Sequence, residues 1–453
     1  MTESDSYPPV GAGPGAPPPD FRGTVEMDEK AAEYYQLPQW KLMWRRFRKH
    51  KVALWMLHVV ILLYVICLNC EFLAPYDPSA IHKDWINLPP QVLRFGFVEG
   101  SSLPRLYVYP FKMQQDPVTL ERVYSVDRSR RIPIRWLVRG RKWTALGLFE
   151  SNLHLFGVAG SYGTGSAAAP PGVPASAPAT QAAASRPTSA PTTTSATATT
   201  PASGRAYSAP LARLARTERS DYPTCFLLGT DSLGQDLFSR IFYGGRISLL
   251  IGLTGVLLTF FLGIGLGGIS GYYGGRIDML IQRVAEVIQT VPKIPMWLAL
   301  AAAIPKNWTS LQVYFAMTLI LASMGWSGLC RTVRGKLLAL REEDYARAAL
   351  LAGASESRII FVHLIPNFLS HITASLTLSV PGMILAETSL SFLGLGLRPP
   401  IVSWGVLLQQ ANRVDIVINQ PWLLLPAVMV VIAVLAFNFA GEGLRDAADP
   451  YST

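Results

Sequence analysis

ISLLIGLTGVLLTFFLGIGLGGISG, residues 247–271, contains no formal charge over its whole length. As a helix it would cover about 37 Å, more than the roughly 30 Å hydrocarbon core, so it reads as a membrane span. Gly263, Gly267, Gly271 and Gly275 recur at four-residue spacing. Such a small-residue stripe lets another helix approach closely. The rest of the chain agrees with that reading. Half of the 453 residues are hydrophobic and 15% are charged, where a soluble domain carries about 25%. Mean hydropathy is +0.27. An ordinary soluble enzyme, a disordered scaffold and a disulfide framework are all excluded.

Working outward, five more spans follow. The first is Val52–Cys70, again without a formal charge. The third is mixed. Ile277, Leu280, Ile281, Val284, Val287, Ile288 and Val291 form an apolar stripe, and Asp278, Gln282, Glu286 and Gln289 follow the opposite face. Pro292 and Pro295 interrupt it before Met296–Ile304, which predicts one kinked helix. Glu286 facing lipid at mid-membrane would cost about 2.5–3.5 kcal/mol, so it should face protein or water. The fourth span is Val313–Cys330, the fifth Phe368–Glu387 with Pro381 inside, and the sixth Trp422–Ala440. The expected fold is an all-α polytopic membrane protein with six transmembrane helices.

Forty Lys+Arg against thirty Asp+Glu give a net charge of +10, and its location decides what it means. WKLMWRRFRKHK, residues 40–51, has six basic residues and no acid just before the first span. The positive-inside bias therefore places the N-terminus in the cytoplasm. Trp40, Trp44 and Phe47 fall at helical spacing, which suits a short helix on the inner leaflet or a plain anchor flank. Six spans bring the C-terminus to the same side. The loop 331–367, with Arg331, Arg334, Lys336, Arg341, Arg347 and Arg358, is then cytoplasmic as the charge rule asks.

The chain divides accordingly. Residues 1–39 read as a disordered cytoplasmic tail, 40–70 as interfacial helix and first span, and 71–160 as an extracytoplasmic β-rich module. The module's strands are expected in RLYVYPF, RVYSV and RIPIRWLV. Residues 161–210 form a linker. Within it, 40 of the 44 residues from 161 to 204 are Ala, Thr, Ser, Pro or Gly, which cannot bury a core. Residues 211–246 lead into the helical core 247–441, and 442–453 form a cytoplasmic tail. Residues 79–158 carry twelve basic residues against six acidic ones, with a cluster at Arg128, Arg130, Arg131, Arg135, Arg139, Arg141 and Lys142. A long loop translocates largely regardless of charge, so this cluster reads as a solvated face or a contact for headgroups or an acidic partner, not for nucleic acid.

No catalytic constellation is present. The nearest string to a phosphate-binding loop is Arg334-Gly335-Lys336-Leu337, which lacks the earlier glycine and the hydroxyl. The six histidines are scattered and no zinc spacing occurs. Cys67 and Cys70 read as buried apolar residues, and a Cys70–Cys225 bridge stays open. The informative segment is REEDYARAALLAGASESRIIFVHLIPN, residues 341–367. Acidic residues at 342–344 suit a helix start, Tyr345–Ala352 a helix, and Gly353 its C-terminal cap. Ser355 can cap a second helix running to Ile365 before Pro366. Ala346, Ala349 and Gly353 share one nearly bare face, which would enter a tight groove on another protein or pack on the chain's own bundle.

The same segment resembles the cytoplasmic coupling loop of ABC-importer permeases, with its E-A-A-x-x-x-G-x9-I-x-L-P signature. The pattern falls on Arg347, Ala348, Ala349, Gly353, His363, Ile365 and Pro366, with Arg347 in place of Glu, and His363 and Ile365 in place of Ile and Leu. LAPYDP (73–78), LGTDSLGQDLFSRIFYGGRISLLIG (228–252), GYYGGRID (271–278), ETSLSFLGLGLRPPIVSWG (387–405) and NFAGEGLRDAADP (438–450) are similar to the dipeptide/oligopeptide/nickel permease subfamily. Gln235 stands where that subfamily usually has Arg.

The resemblance implies a methionine-permease-like (MetI-like) type I importer core and a non-catalytic transport subunit of the bacterial plasma (inner) membrane, itself without cofactor. It implies a second homologous permease, two cytosolic ATPases that hold the ATP, an extracytoplasmic solute-binding protein and surrounding lipid as partners, and no nucleic acid. Peptides are the implied cargo, with nickel chelates, opines and glutathione-like compounds as alternatives. Tyr345, Ala346, Arg347, Ala348, Ala349, Gly353, Ala354, Ser355, His363 and Pro366 would form the ATPase-coupling loop, and 387–405 would lie at the outer mouth. Gln282, Glu286, Gln289, Ser375, Thr377 and Ser379 are the candidates for the pathway, with helix–helix hydrogen bonding as the competing role. A self-sufficient secondary transporter would draw on Glu286 and the Pro292/Pro295 break, but no half-to-half repeat accompanies them. A membrane-anchored sensor would need a signalling domain after the last span.

Overall fold

The computed structural model describes residues 39–98, 104–115, 122–145, 149–158 and 225–448. Residues 1–38 of the tail expected over 1–39, the linker 161–210, residues 211–224 and the last residues 449–453 lie outside the described residues; Gln39 already opens a helix. Eleven α-helices of six residues or more carry the described fold. They are α1 (Gln39–Phe47), α2 (Lys51–Leu68), α3 (Leu237–Tyr273), α4 (Gly275–Thr290), α5 (Lys293–Ala302), α6 (Ser310–Leu340), α7 (Asp344–Leu351), α8 (Ile365–Phe392), α9 (Trp404–Gln409), α10 (Val414–Asn419) and α11 (Leu425–Ala448).

Five described helical stretches are long and apolar enough to cross a membrane: Lys51–Leu68, Leu237–Tyr273, Ser310–Leu340, Phe368–Phe392 and Pro421–Ala448. The expected kinked third span is instead broken in two. Val291 takes an extended conformation (φ −80°, ψ 129°) between α4 and α5. Pro292 explains this, because its ring disfavours the helical region for the residue before it. The ten residues of α5 cannot span a bilayer alone.

The tightest pairing is α3 against α6, and glycine makes it so. A Cβ at Gly267 would lie 2.6 Å from the Cys330 carbonyl oxygen, and one at Gly271 2.9 Å from that of Arg334. Gly263 meets the Leu329 side chain in the same way. Gly275 does not belong to this contact. It sits at φ 58° after Gly274 at φ 65°, and the two glycines make the turn into α4.

One core gathers residues of α2, α3, α6, α8, α9 and α11, including Cys67, Leu249, Met317, Ile384, Trp404 and Ala433. A second core, at the other end of α3 and α6, joins Ile264, Val333 and Leu337 to Ala346, Ile360, Leu364 and Phe368. Phe47 of α1 is buried against Ala53 and Ala447, so α1 docks on the carboxyl end of α11 and turns that ring away from lipid. Trp44 stays exposed and stacks on it, with ring centroids 5.7 Å apart.

The β-like patches form strands β1 (Arg94–Gly96), β2 (Arg105–Val108), β3 (Phe111–Gln115), β4 (Arg122–Val126), β5 (Ile132–Ala145) and β6 (Phe149–Val158). Their sheet order is β1-β2-β5-β6, with β3-β4 as a separate hairpin, and the pairs are antiparallel. Val108, Ile132, Ile134, Phe156 and Val158 bury one face with Cys225, and Phe156 meets Phe238 edge-on at 5.3 Å. The sheet thus rests on the amino end of α3. All four cysteines are buried free thiols, so no Cys70–Cys225 bridge forms.

Candidate coupling surface and polar seams

Residues 341–367 follow directly from α6. Glu343 and Asp344 place negative charge at the amino end of α7, where the helix dipole favours it. Arg347 donates to Glu342 at 2.7 Å, and Arg341 donates to the same carboxylate at 3.1 Å. The Arg347 hydrogen bond holds the Glu342 carboxyl below its ordinary pKa. The basic residue that departs from the family pattern is therefore paired within the loop itself.

Gly353 ends α7 at φ 80°, a conformation costing an L-residue about 1–2 kcal/mol. Its N–H donates to the Leu350 carbonyl at 3.0 Å, and the Ala354 N–H donates to that of Ala349 at 3.1 Å. These two bonds make a Schellman stop.

The small-residue face of α7 is turned inward. Ala346 is buried in the second core, with Ala349 and Ala354 packed against it. The other side is open. Tyr345, Leu350 and Leu351 are 40%, 57% and 89% exposed, with Phe361 and Val362 also exposed further on. Arg347 and Ala348 are exposed as well, and His363 is half-buried. Ser355 stands at a helix start, but its side chain makes no capping bond. Pro366 does not end the second helix. The chain passes from Glu356–Arg358 through a π-helical turn, Ile359–Leu364, into α8, whose first turn holds Pro366. The π-helical turn before Pro366 is a shift in the hydrogen-bond ladder of the kind that accompanies a change of helix direction.

Two of the pathway candidates make helix–helix hydrogen bonds. Gln282 donates to Ser270 Oγ at 2.9 Å, and Gln289 donates to Ser327 Oγ at 2.9 Å. Asp278 on the same face accepts both Nε and Nη2 of Arg334, at 2.5 and 2.6 Å, and Ser270 Oγ at 2.5 Å. Thus α4 turns its polar face onto α3 and α6 and leaves Ile277, Leu280, Val284 and Val287 exposed. Apolar surroundings favour that arrangement, because unsatisfied polar groups there are costly. Arg334, expected in the loop 331–367, lies in the last turns of α6, and Ser270 was not singled out; the pairing of each with Asp278 is not legible from spacing.

Glu286 lies away from this seam, half-exposed beside Arg283 at 3.4 Å. Ser375, Thr377 and Ser379 donate to carbonyls four residues back on α8 itself, at 3.0, 2.9 and 2.9 Å. None of these three bridges helices through that bond.

The segment 228–240 is a structural knot. Asp231 and Arg240 form a buried ion pair, and Gln235 accepts a second bond from the same guanidinium. Asp231 Oδ1 accepts the N–H groups of Leu233 and Gln235, at 2.9 and 2.8 Å, and its Oδ2 accepts Gln410 Nε2 at 3.1 Å. Removing one partner of such a pair costs about 3–5 kcal/mol. Thr230 accepts the Leu88 N–H at 2.9 Å and donates to the Trp85 carbonyl. Trp422 Nε1 donates to the Thr230 carbonyl at 3.1 Å. Asp236 caps α3 by accepting the Ser239 N–H at 2.9 Å, and burial pushes its carboxyl up to about 6. These residues hold the segment after α2 to the start of α3 and to the region before α11. They hold these three parts of the fold together.

Deeper in the bundle, buried Glu387 accepts Ser248 Oγ and Ser391 Oγ, each at 2.9 Å. Among the described residues, no group of three or more His, Cys, Asp and Glu could hold a metal ion.

Among the described residues, the long apolar helices form a bundle that carries an outward-facing apolar helix, α7, at one end. The chain belongs to the family described as "binding-protein-dependent transport system inner membrane component", matched over residues 263–451. Residues 38–90 match the "N-terminal TM domain of oligopeptide transport permease C". It is 40% identical over 224 residues to the oligopeptide transport system permease protein OppC of Haemophilus influenzae, covering 49% of this chain and 69% of that one. Identity is 37% to the dipeptide transport system permease protein DppC of Bacillus subtilis, over 53% and 73% of the two chains. It is 39% to the glutathione transport system permease protein GsiD of Pectobacterium atrosepticum, over 49% and 72%. A structure titled as inward-facing conformations of the MetNI methionine ABC transporter aligns with 46% of this chain and 96% of its own, at 16% identity. The TM-score of that alignment is 0.37. The protein is a multi-pass inner-membrane permease.

Proposed function

We propose that this chain is a permease subunit of an ATP-driven importer of di- and oligopeptides, driven through α7. The relatives named for oligopeptide, dipeptide and glutathione transport support a peptide-like cargo. In this reading α4 and α5 together make a sixth crossing of a MetI-like core, with both termini cytoplasmic. Neither family match includes residues 91–262, in keeping with an extracytoplasmic inserted module and linker. A second homologous permease completes the pathway, and Glu286 with the exposed face of α4 borders it. A solute-binding protein delivers cargo on the outer side. ATP is bound and hydrolysed by two partner ATPases, and this chain carries no cofactor.

The observation that carries the reading is the form of α7. It is fixed inward through Ala346, stopped by Gly353, and presents Leu350 and Leu351 to solvent. Exposed large apolar residues in a row mark a docking surface. An ATPase cleft closing on that surface would rock α6 and α8, which leave the same core, as rigid bodies.

The test is copurification of the tagged chain from its native membranes, for wild type and two variants. Nothing lies within 4 Å of a Cβ at Gly353, so Gly353→Ala and Gly353→Trp share the same backbone strain and differ only in bulk. Wild type and Gly353→Ala should retain Walker-motif ATPases and a second permease, and Gly353→Trp should lose the ATPases and uptake. Equal loss in both variants would assign the effect to the turn, and a solitary wild-type chain would reject the reading.

A further inference from the structure

Between the amino end of α6 and the turn 396–401 lies a cavity of about 130 Å³ whose chemistry the transport reading does not use. Lys306 and Arg398 line it from two separate segments, with Trp308, Ser310, Ile304 and Ile401 around them. No acidic residue lines it, and neither cation forms an ion pair among the described residues. Ser310 is the first residue of the 31-residue helix α6, so the positive end of its dipole adds to the same field. Both cations are exposed at the cavity rim, where their like charges raise the potential that an anion meets.

We infer that this cavity is a carboxylate-binding pocket at the end of the bundle opposite α7. The placement follows from α6, which runs about 46 Å from Ser310 to the loop that carries α7. The volume is well below the roughly 300–1,000 Å³ of a site that encloses a whole small ligand, so the pocket takes an end group. Ile304, Ile401 and Trp308 supply an apolar wall for the carbons next to the carboxylate, and Arg398 and Lys306 supply charge-assisted donors. Oligopeptides, dipeptides and glutathione, the compounds for which the relatives are named, all carry free carboxylates. The source of the carboxylate rests on the peptide-import reading; the pocket does not.

The direct test uses the full chain in phosphatidylcholine nanodiscs, titrated with N-acetylglycine and with N-acetylglycinamide. The signal is the fluorescence difference between wild type and Trp308→Phe. A saturable response to the acid and none to the amide is expected, and Lys306→Gln/Arg398→Gln should weaken it by about tenfold or more. Equal responses to acid and amide, an unchanged acid response in the double variant, or a response only to added phosphatidylglycerol would overturn the pocket. The last would make the two cations headgroup anchors.

Uptake then distinguishes the source. If the cargo supplies the carboxylate, wild type should import a free-acid tripeptide better than its C-terminal amide, and the double variant should lose that preference. Equal falls for both peptides would assign the carboxylate to a side chain of the docking protein. If the acid binds and wild type imports neither peptide, the pocket stands and the peptide-import reading falls.

Discussion

His82 shows how one buried side chain sets a response of the whole region outside the spans. It lies between Tyr76 and Phe226, with ring centroids 5.6 and 5.2 Å away, and its Nε2 has no hydrogen-bond partner. Burial lowers its pKa from 6.5 to about 4, opposed by the nearby Asp84. The folded state therefore favours neutral imidazole. The resulting stabilisation is present above pH 6.5 and is lost as pH falls toward 4, a span worth about 3 kcal/mol. Asp236 acts with the opposite sign: its raised pKa of about 6 contributes stability at low pH that is lost as pH rises through 6. The two effects overlap, so the comparison has to be with a variant. Melting temperatures of wild type and His82→Phe between pH 8 and pH 4 should diverge, wild type falling more steeply below 6.5. Parallel curves would show that His82 accepts a proton without disturbing the fold. At this scale Gly353 was legible, because only glycine suits a left-handed stop after a run of good helix formers. His82 was not, since its burial depends on Phe226, far away in sequence.

Elements were read well where a period repeated and poorly where a single residue redirected the backbone. The stripe through Gly263, Gly267 and Gly271 marks the α3–α6 contact, and all three glycines meet α6. Gly275 continues the spacing in sequence but opens the next helix, α4, because α3 stops at Tyr273. Spacing cannot show where a helix stops. The same limit applies to Val291, where the expected kink is a break, and to Pro366, which begins α8 after a π-helical turn. A proline is compatible with a first turn as well as with an end, and local sequence does not choose between them. The glycine contact makes a sharp prediction. Gly267→Leu would drive side-chain atoms into the Cys330 backbone and should lower the thermal stability of the purified chain by about 3 kcal/mol or more. Gly265→Leu is the control, as nothing lies within 4 Å of its Cβ. Equal behaviour of the two variants would mean that α3 and α6 can separate without loss.

At the scale of the molecule, charge and motif together read further than either alone. The family motifs lie in parts of the fold far from one another in sequence, yet 228–240, 410 and 422 converge on Thr230 and Asp231. That convergence, with long polar bonds reaching across the chain, was not legible from spacing, because each residue's partner lies in another segment. Orientation is the property on which the importer reading depends most, and it can be tested with the native thiols left in place. All four are buried, and burial pushes Cys225 up to about 12, so they should react slowly with a maleimide that needs thiolate. Arg130 and Ser357 are exposed, the first beside β5 and the second just before the π-helical turn that leads into α8. In intact cells whose plasma membrane is reached by the reagent, a membrane-impermeant maleimide should label Arg130→Cys before lysis and Ser357→Cys only after it. The reverse pattern would put the basic strands in the cytoplasm and α7 outside. An ATPase could not then reach Leu351, and the basic cluster around Arg128–Lys142 would have to be reconsidered as a nucleic-acid surface. Labelling of both sites before lysis would instead show that 71–246 and 331–367 share one side. That requires an even number of crossings between them, so α4 and α5 would no longer count as a span.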